Sequence, residues 1–334
     1  MAEPTQLSRR RPRDPEELLR AAQAGDRAAT GRLLSLGERG GAPARAVGRL
    51  TFAPSAAIER VVGITGAPGA GKSTLTDRLI ATIRGGGQEV GVLAVDPSSP
   101  FSGGAILGDR VRMQRHATDE GVFIRSMATR GHLGGLALAA PEAVRVLGAV
   151  GFPVVLIETV GVGQVEVEVA GKADTTVVVV NPGWGDSVQA NKAGLLEIAD
   201  IFVINKADRP GAAETRRDLD NMLDLDTHMG TWRPPIVPTV AQTGEGADEL
   251  WATIDAHFHH LTSSGELEVR RRRRLEDELA AVVLRLLERD VRELESGSRW
   301  AEALDAVLAR RSDPYQAAAE LISGADRGSP DPVP

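Results

Sequence analysis

The sequence predicts an α/β protein built on a doubly wound, mostly parallel sheet, with helical extensions at both ends. Short apolar runs recur along the chain and alternate with segments of helical periodicity. The first of these runs leads into a glycine-rich loop that opens a helix. Aromatic residues make up only 3% of the 334 residues, so Leu, Val, Ile and Ala must supply the core, as is typical of parallel sheets.

The predicted elements follow in chain order. Residues 1–55 form an N-terminal helical segment, whose first helix starts at the capping sequence Asp14-Pro-Glu-Glu. The main domain spans residues 56–262, a helical arm spans 263–325, and a flexible tail spans 326–334. The predicted strands of the main domain lie near residues 60–65, 90–95, 122–125, 153–158, 175–180, 201–205 and 235–240.

The glycine-rich loop has the pattern G-x-x-x-x-G-K-[ST], which indicates a site for nucleoside triphosphate. Its glycines let successive backbone N–H groups turn toward a phosphate, while the following helix presents its positive end. We expect Lys72 to neutralise the β- and γ-phosphates and the Ser73 hydroxyl to ligate Mg²⁺. The predicted phosphate-site residues are Gly66, Ala67, Pro68, Gly69, Ala70, Gly71, Lys72, Ser73 and Thr74.

A second motif, Asn205-Lys206-Ala-Asp208, ends the apolar run 201–204 and predicts recognition of guanine. Strand ends are where open α/β sheets bind their ligands. The Asp208 carboxylate can accept hydrogen bonds from N1–H and the exocyclic amine of guanine, a donor pair that adenine lacks.

Three acidic residues are candidates for the metal and the γ-phosphate. Glu158 follows the apolar run 153–157 and opens the sequence Glu-Thr-Val-Gly161, which is similar to the acidic-x-x-Gly element of switch GTPases. In that element the carboxylate holds Mg²⁺ and the Gly161 N–H contacts the γ-phosphate. Asp96 ends the second strand, and Asp109 lies in a glycine-rich segment, where it could also be a cap or a loop carboxylate.

Together these motifs resemble those of the methylmalonyl-CoA mutase-associated GTPases, the MeaB and ArgK group of P-loop metallochaperone and signalling GTPases. The resemblance covers roughly residues 15–325. Its most specific stretches are Val95-Asp-Pro-Ser-Ser-Pro100, Gly108-Asp-Arg-Val-Arg-Met113, Glu158-Thr-Val-Gly-Val-Gly-Gln164, Gly185-Asp-Ser-Val-Gln189 and Asn205-Lys-Ala-Asp208.

The resemblance implies a P-loop GTPase domain that binds GTP or GDP with Mg²⁺. It places Asp109 and Glu158 in the metal and switch machinery and Lys192, with Asp186 and Gln189, in an additional switch segment. An ordinary exposed helix lysine is the alternative for Lys192. The resemblance also implies a homodimer built by the terminal arms and a client enzyme, an adenosylcobalamin-dependent methylmalonyl-CoA mutase whose cofactor loading the GTPase gates and which it protects as a chaperone.

One loop departs from the usual GTPase pattern. GTPases often have Ser-Ala-x at the second base-contacting loop, whereas this chain has Val240, Ala241 and Gln242. The valine removes a hydroxyl, which puts the rigidity of the loop in doubt. We expect the Ala241 N–H to contact the guanine carbonyl.

Two alternative functions stay open at this point. A metal-delivery GTPase for another metalloenzyme is the first, although the chain has no cysteine and its clustered histidines, His257, His259 and His260, do not share one helix face. The second is an ATP-using kinase linked to basic amino-acid transport, which the guanine motif disfavours.

Composition limits the partners further. The net charge of −7 argues against broad binding to nucleic acid, and we interpret the basic run Arg270 to Arg274 as a solvated helix face or a surface for an acidic partner. No apolar run reaches the roughly 18 residues needed to span a bilayer, and no secretory signal is evident. We therefore expect a cytoplasmic protein that contacts neither membrane nor nucleic acid.

Overall fold

The computed structural model describes residues 14–52, 58–96, 114–116, 118–128, 133–159, 171–183, 197–225 and 230–325. The chain divides into two compact units, residues 1–276 and residues 277–334.

The first unit is built on one seven-stranded sheet. Its strands are β1 (Arg60–Gly66), β2 (Val90–Asp96), β3 (Val122–Ala128), β4 (Val154–Thr159), β5 (Thr175–Val180), β6 (Ile201–Asn205) and β7 (Ile236–Thr239). The spatial order is β3-β2-β4-β1-β5-β6-β7, and every neighbouring pair is parallel. The predicted doubly wound sheet is confirmed, and β1 lies at its centre.

Helices cover both faces of this sheet, because its strands are apolar on both sides. The helices of the first unit are α1 (Pro15–Gln23), α2 (Arg27–Arg39), α3 (Gly41–Thr51), α4 (Lys72–Gly85), α5 (Leu133–Ala149), α6 (Ala212–Leu225) and α7 (Ala247–Ser264), followed by α8 (Glu266–Glu295), which continues into the second unit. Val61 packs in the same cluster as residues of α1, α2, α3 and α5, whereas Val62 packs with residues of α4 and α7. Successive residues of β1 thus pack against the helix layers on opposite faces of the sheet.

The first N-terminal helix begins where the sequence predicts. Asp14 caps α1 by accepting a hydrogen bond from the Glu17 N–H, and Pro15 occupies the first helical position. Leu18 of α1 and Leu33 of α2 are buried in the cluster that covers one face of the sheet. These helices therefore complete a layer of the sheet domain.

The basic run at the start of α8 corrects one prediction. Arg270, Arg271 and Arg274, here called the arginine cluster, bind carboxylates of the same chain, so the interpretation as a solvated face or partner surface is wrong for them. Arg271 donates to the fully buried Asp174 at 3.0 Å, and Arg274 also binds Asp174. Arg272 and Arg273 of the run are exposed.

The two carboxylates that receive these arginines lie at the amino ends of neighbouring strands. Asp174 precedes β5 and accepts the Val61 N–H at 2.9 Å, whereas Asp200 precedes β6 and accepts the Thr176 N–H at 2.8 Å. Arg270 donates to both oxygens of Asp200, at 2.9 and 3.0 Å. Burial opposes ionisation of Asp174, but hydrogen bonds and charges from Arg271 and Arg274 outweigh it and hold the pKa of Asp174 below its usual range.

The second unit contains the end of α8 with α9 (Ser298–Leu308) and α10 (Pro314–Ala325). Ala317 and Leu321 are buried in it, and Arg299 donates to the Glu320 carbonyl at 3.1 Å. Many of its large apolar side chains are exposed: Leu279, Val282, Val283, Leu284, Leu286, Leu287, Val291, Leu304, Leu308, Tyr315 and Ile322. None of the helices in the described ranges has the length and apolar character required to cross a bilayer.

Candidate nucleotide site

The glycine-rich loop joins β1 to α4 at the centre of the sheet, and its two outer glycines are required by close contacts. Gly66 has φ of 134°, and a Cβ there would lie 2.0 Å from the Val179 carbonyl oxygen. Gly71 has φ of 93°, and a Cβ there would lie 2.3 Å from Asn205 Nδ2. Both positions combine a left-handed backbone with no room for a side chain, so only glycine fits. The motif spacing thus follows from the fold around it.

Lys72 is the first residue of α4 and is buried beneath the loop. Its Nζ donates to the carbonyl oxygens of Gly66, at 2.6 Å, and Ala67, at 3.0 Å. The ammonium group therefore lies inside the curve of the loop, where the sequence predicts that phosphate binds.

Ser73 and Glu158 meet although 85 positions separate them in the sequence. The Ser73 hydroxyl donates to Glu158 Oε1 at 2.5 Å, and both side chains are buried. Glu158 lies within β4, in agreement with the predicted strand 153–158. A hydroxyl and a carboxylate this close form an oxygen donor set of the kind that Mg²⁺ prefers.

Asn205 at the end of β6 connects the phosphate loop to the loop that follows β7. Its Nδ2 donates to the Ala70 carbonyl at 2.7 Å, and its Oδ1 accepts from Thr239 Oγ1 at 3.2 Å and from the Ala241 N–H at 3.1 Å. The sequence predicted a contact of the Ala241 N–H with guanine, and in this structure Asn205 accepts that hydrogen bond.

Lys206 has a backbone conformation that is uncommon outside glycine. Its φ is 60°, and its Nζ donates to the Gly69 carbonyl at 2.7 Å. A left-handed residue next to the phosphate loop is the kind of local strain that clusters at ligand sites. Its side chain thus supports the phosphate loop from outside.

A cavity lies where these segments converge. It is lined by Gly71, Thr74, Asn205, Lys206, Asp208, Arg209, Val240, Ala241 and Gln242. Except for Arg209, these are residues that the sequence singled out for phosphate or base binding. Asp208 is exposed, so its carboxylate is accessible to a ligand in the cavity.

Sequence reasoning missed two residues of α4 that fasten neighbouring segments. Arg78 donates from Nε to the Ala241 carbonyl at 2.9 Å and from Nη2 to the Gln242 carbonyl at 2.5 Å. Asp77 accepts from Arg115 Nε at 2.6 Å and lies 3.0 Å from His116 Nε2. These contacts anchor residues 115 and 116, which follow the glycine-rich segment that contains Asp109. A charged residue on a helix does not reveal its partner, so the sequence offered no signal for either contact.

Asp109, Gly161 and Lys192 lie outside the described residues, as do Gln164, Asp186 and Gln189. Asp96 ends β2, where its backbone pairs with Ala128 of β3.

The three clustered histidines do not converge. His257 is fully buried, its Nδ1 lies 2.9 Å from Thr175 Oγ1, and its Nε2 lies 3.4 Å from Asp200 Oδ1. Burial, assisted by the charge of Arg270, lowers the pKa of His257 to about 3, so the ring is neutral near pH 7. His259 is exposed, and no group of three or more potential metal ligands occurs among the residues that the structure describes.

Comparison with known proteins agrees with this geometry. A family model described as methylmalonyl-CoA mutase-associated GTPase MeaB matches residues 32–296. A Pyrococcus abyssi protein named as a GTPase is 50% identical over 317 residues, which cover 92% of this chain and 97% of that protein. The mouse methylmalonic aciduria type A homolog, named as mitochondrial, is 39% identical over 214 residues, which cover 63% of this chain and 52% of that protein.

A solved structure is similar over nearly the whole chain. It is described as a LAO/AO transport system kinase, is 27% identical, and has a TM-score of 0.66 with 93% of this chain and 97% of that chain covered. The family match and the relatives agree with the phosphate loop and the guanine motif. The chain belongs to the family of methylmalonyl-CoA mutase-associated GTPases and is accordingly a hydrolase that acts on GTP.

Proposed function

We propose that this protein is a GTP-driven switch that acts as a chaperone of an adenosylcobalamin-dependent methylmalonyl-CoA mutase. The observation that carries the switch is the contact between Ser73 of the phosphate-loop helix and Glu158 of β4. Glu158 is the first residue of the segment Glu-Thr-Val-Gly161, so a change at the phosphate site reaches that segment through one hydrogen bond.

The residues of the site divide the work of hydrolysis between charge and position. Lys72 brings a positive charge to the β- and γ-phosphates, and the N–H groups of the loop orient them. Asp208 recognises guanine, and residues 240–242 line the cavity that would hold the base. Ser73 and Glu158, with Asp96 or Asp109, would hold Mg²⁺, which when bound neutralises phosphate charge.

The family and one relative support this choice of client. The family description names association with methylmalonyl-CoA mutase, and the mouse relative is named for methylmalonic aciduria. We infer that GTP hydrolysis by this chain gates the loading of cobalamin cofactor into the mutase and protects the mutase from inactivation.

A homodimer formed through the second unit is part of this proposal. The exposed leucines and valines of α8 recur at helical spacing, as in Leu279, Val283 and Leu286. So many exposed apolar side chains on one unit favour a partner surface, and a second copy of this chain has the same face to offer. Sedimentation velocity on the full chain should show a dimer, and a monomer at micromolar concentration would contradict it.

The decisive test of the client is GTP turnover by the purified protein, with and without a cobalamin-dependent acyl-CoA mutase from the same organism. We expect the mutase to stimulate turnover of GTP and not of ATP. A GTPase that ignores the mutase would favour the metal-delivery alternative, and turnover of ATP alone would favour the kinase alternative.

The base assignment has its own test. Asp208→Asn removes the carboxylate that pairs with the guanine donors, so the preference for GTP over ATP should fall by about tenfold or more. Asp218→Asn on α6 is a matched exposed control. An unchanged preference in Asp208→Asn would contradict the assignment.

A further inference from the structure

The loop that follows β7 has valine where GTPases often have serine, yet several hydrogen bonds hold it in this structure. We call residues 240–246 the base loop. Val240 donates its N–H to the Glu245 carbonyl at 3.0 Å and accepts the Gly244 N–H at 2.9 Å, so the loop is a closed turn. Its residues Val240, Ala241 and Gln242 line the cavity.

Arg78 holds the base loop from the side of the phosphate-loop helix. Its two guanidinium bonds end on consecutive carbonyls, those of Ala241 and Gln242, and Gly244 packs beside its side chain, since a Cβ on Gly244 would lie 3.6 Å from Arg78 Cδ. One turn further along α4, Thr82 donates to Asp248 at 2.8 Å. The same face of α4 thus contacts both the base loop and the start of α7.

The backbone of Ala241 is held on both sides of its Cα. Asn205 accepts its N–H and Arg78 donates to its carbonyl, so neither of the two peptide groups that flank Ala241 can rotate without breaking a hydrogen bond. A planar guanidinium has several N–H donors in a fixed fork and can bridge two neighbouring carbonyls. An ammonium group is a compact point charge without this fork. These contacts hold the loop without a hydroxyl at position 240.

We propose that Arg78 is a positioning residue for guanine recognition, which fixes the base loop to the phosphate-loop helix and thereby couples base binding to phosphate binding. Arg78 touches neither base nor phosphate in this role. It acts through the backbone of Ala241 and Gln242. The inference rests on the proposed nucleotide site and names a specificity determinant within it.

The test compares a ligand that has a base with one that lacks it. Dissociation constants for GDP and for inorganic tripolyphosphate are measured by calorimetry on the full chain, with Mg²⁺, for the wild type, Arg78→Met and Arg78→Lys. Arg78→Met should raise the Kd for GDP about tenfold, as expected for the loss of charged hydrogen bonds, and change the Kd for tripolyphosphate by less than about twofold. Arg78→Lys keeps the charge without the fork and should retain most of the defect.

A matched control and the contrary outcomes complete the design. Arg217→Met removes an exposed arginine of α6 and should leave both constants unchanged. Equal loss of GDP and tripolyphosphate binding, or full recovery by Arg78→Lys, would show a general or purely electrostatic effect and overturn the proposal. An unchanged Kd for GDP in Arg78→Met would overturn it as well. Absence of GDP binding by the wild type would instead refute the proposed nucleotide site, and this inference with it.

Discussion

The two ends of the sheet strands use charged and polar residues in different ways. At the amino ends of β5 and β6, Asp174 and Asp200 are buried and bound by the guanidinium groups of the arginine cluster. At the carboxyl ends, Lys72, Lys206 and Asn205 donate to backbone carbonyls of the phosphate loop. One end is joined by ion pairs between side chains, and the other by contacts to the backbone of loops.

This difference separates stability from function. Buried carboxylates that are paired with arginines of the same chain fix α8 to the sheet. Loss of one partner lowers the stability of the fold, because it leaves a buried charge without its pair. A side chain that contacts loop carbonyls positions the loop, and a phosphate that binds there can replace the carbonyls as its partner. We therefore expect mutations at the amino ends to reduce stability and mutations at the carboxyl ends to reduce nucleotide turnover.

The largest effect is expected from Lys72→Ala. Loss of the ammonium group removes the main positive charge that neutralises the β- and γ-phosphates. GTP hydrolysis should therefore fall by about 100-fold or more. Single-turnover hydrolysis of radiolabelled GTP measures this directly, and thermal denaturation checks that the fold is kept. Turnover near that of the wild type would contradict the assigned phosphate site.

Arg274→Ala is expected to reduce stability and to leave nucleotide binding unchanged. It leaves the fully buried Asp174 with fewer partners, so the free energy of unfolding should fall by about 3 kcal/mol, the lower end for a broken buried pair because Arg271 remains. Urea denaturation measures the loss, and the Kd for GDP should not change. Arg273→Ala, in the same run but exposed, is the control and should be close to neutral.

The smallest effect is a pH dependence that arises from His257. Its pKa is about 3 in the folded chain and near 6.5 when unfolded, so between these values the unfolded state binds a proton that the folded state does not. Stability should therefore fall as the pH drops below 6.5, and His257 alone should account for about 2 kcal/mol between pH 8 and pH 5.

His257→Gln isolates this contribution, because the amide does not titrate and Asp200 titrates in both proteins. Urea denaturation of the two proteins at pH 8 and pH 5 gives the difference. We expect the variant to lose less stability than the wild type on acidification. Identical pH profiles would show that His257 is not buried in its neutral form.

Much of the nucleotide site could be predicted from local sequence. The spacing of Gly66 and Gly71 predicts two positions where the backbone is left-handed and a side chain would clash. The apolar run before Asn205 predicts a buried strand. Such features depend on residues next to one another in the chain. The partners of an arginine do not depend on its neighbours in the chain. Sequence therefore does not reveal that the arginine cluster binds buried carboxylates or that Arg78 contacts the loop after β7.

By itself, the sequence determined the strands, the phosphate loop and the guanine motif, since backbone conformation and strand burial are encoded in short patterns of glycine and apolar residues. Only the tertiary structure decided which charged side chains meet. Ser73 and Glu158 are 85 positions apart, Arg78 and Ala241 are 163 apart, and Asp174 and Arg274 are 100 apart. A long charged side chain looks the same in sequence whether it ends in water or on a buried partner, because the fold alone brings that partner within reach.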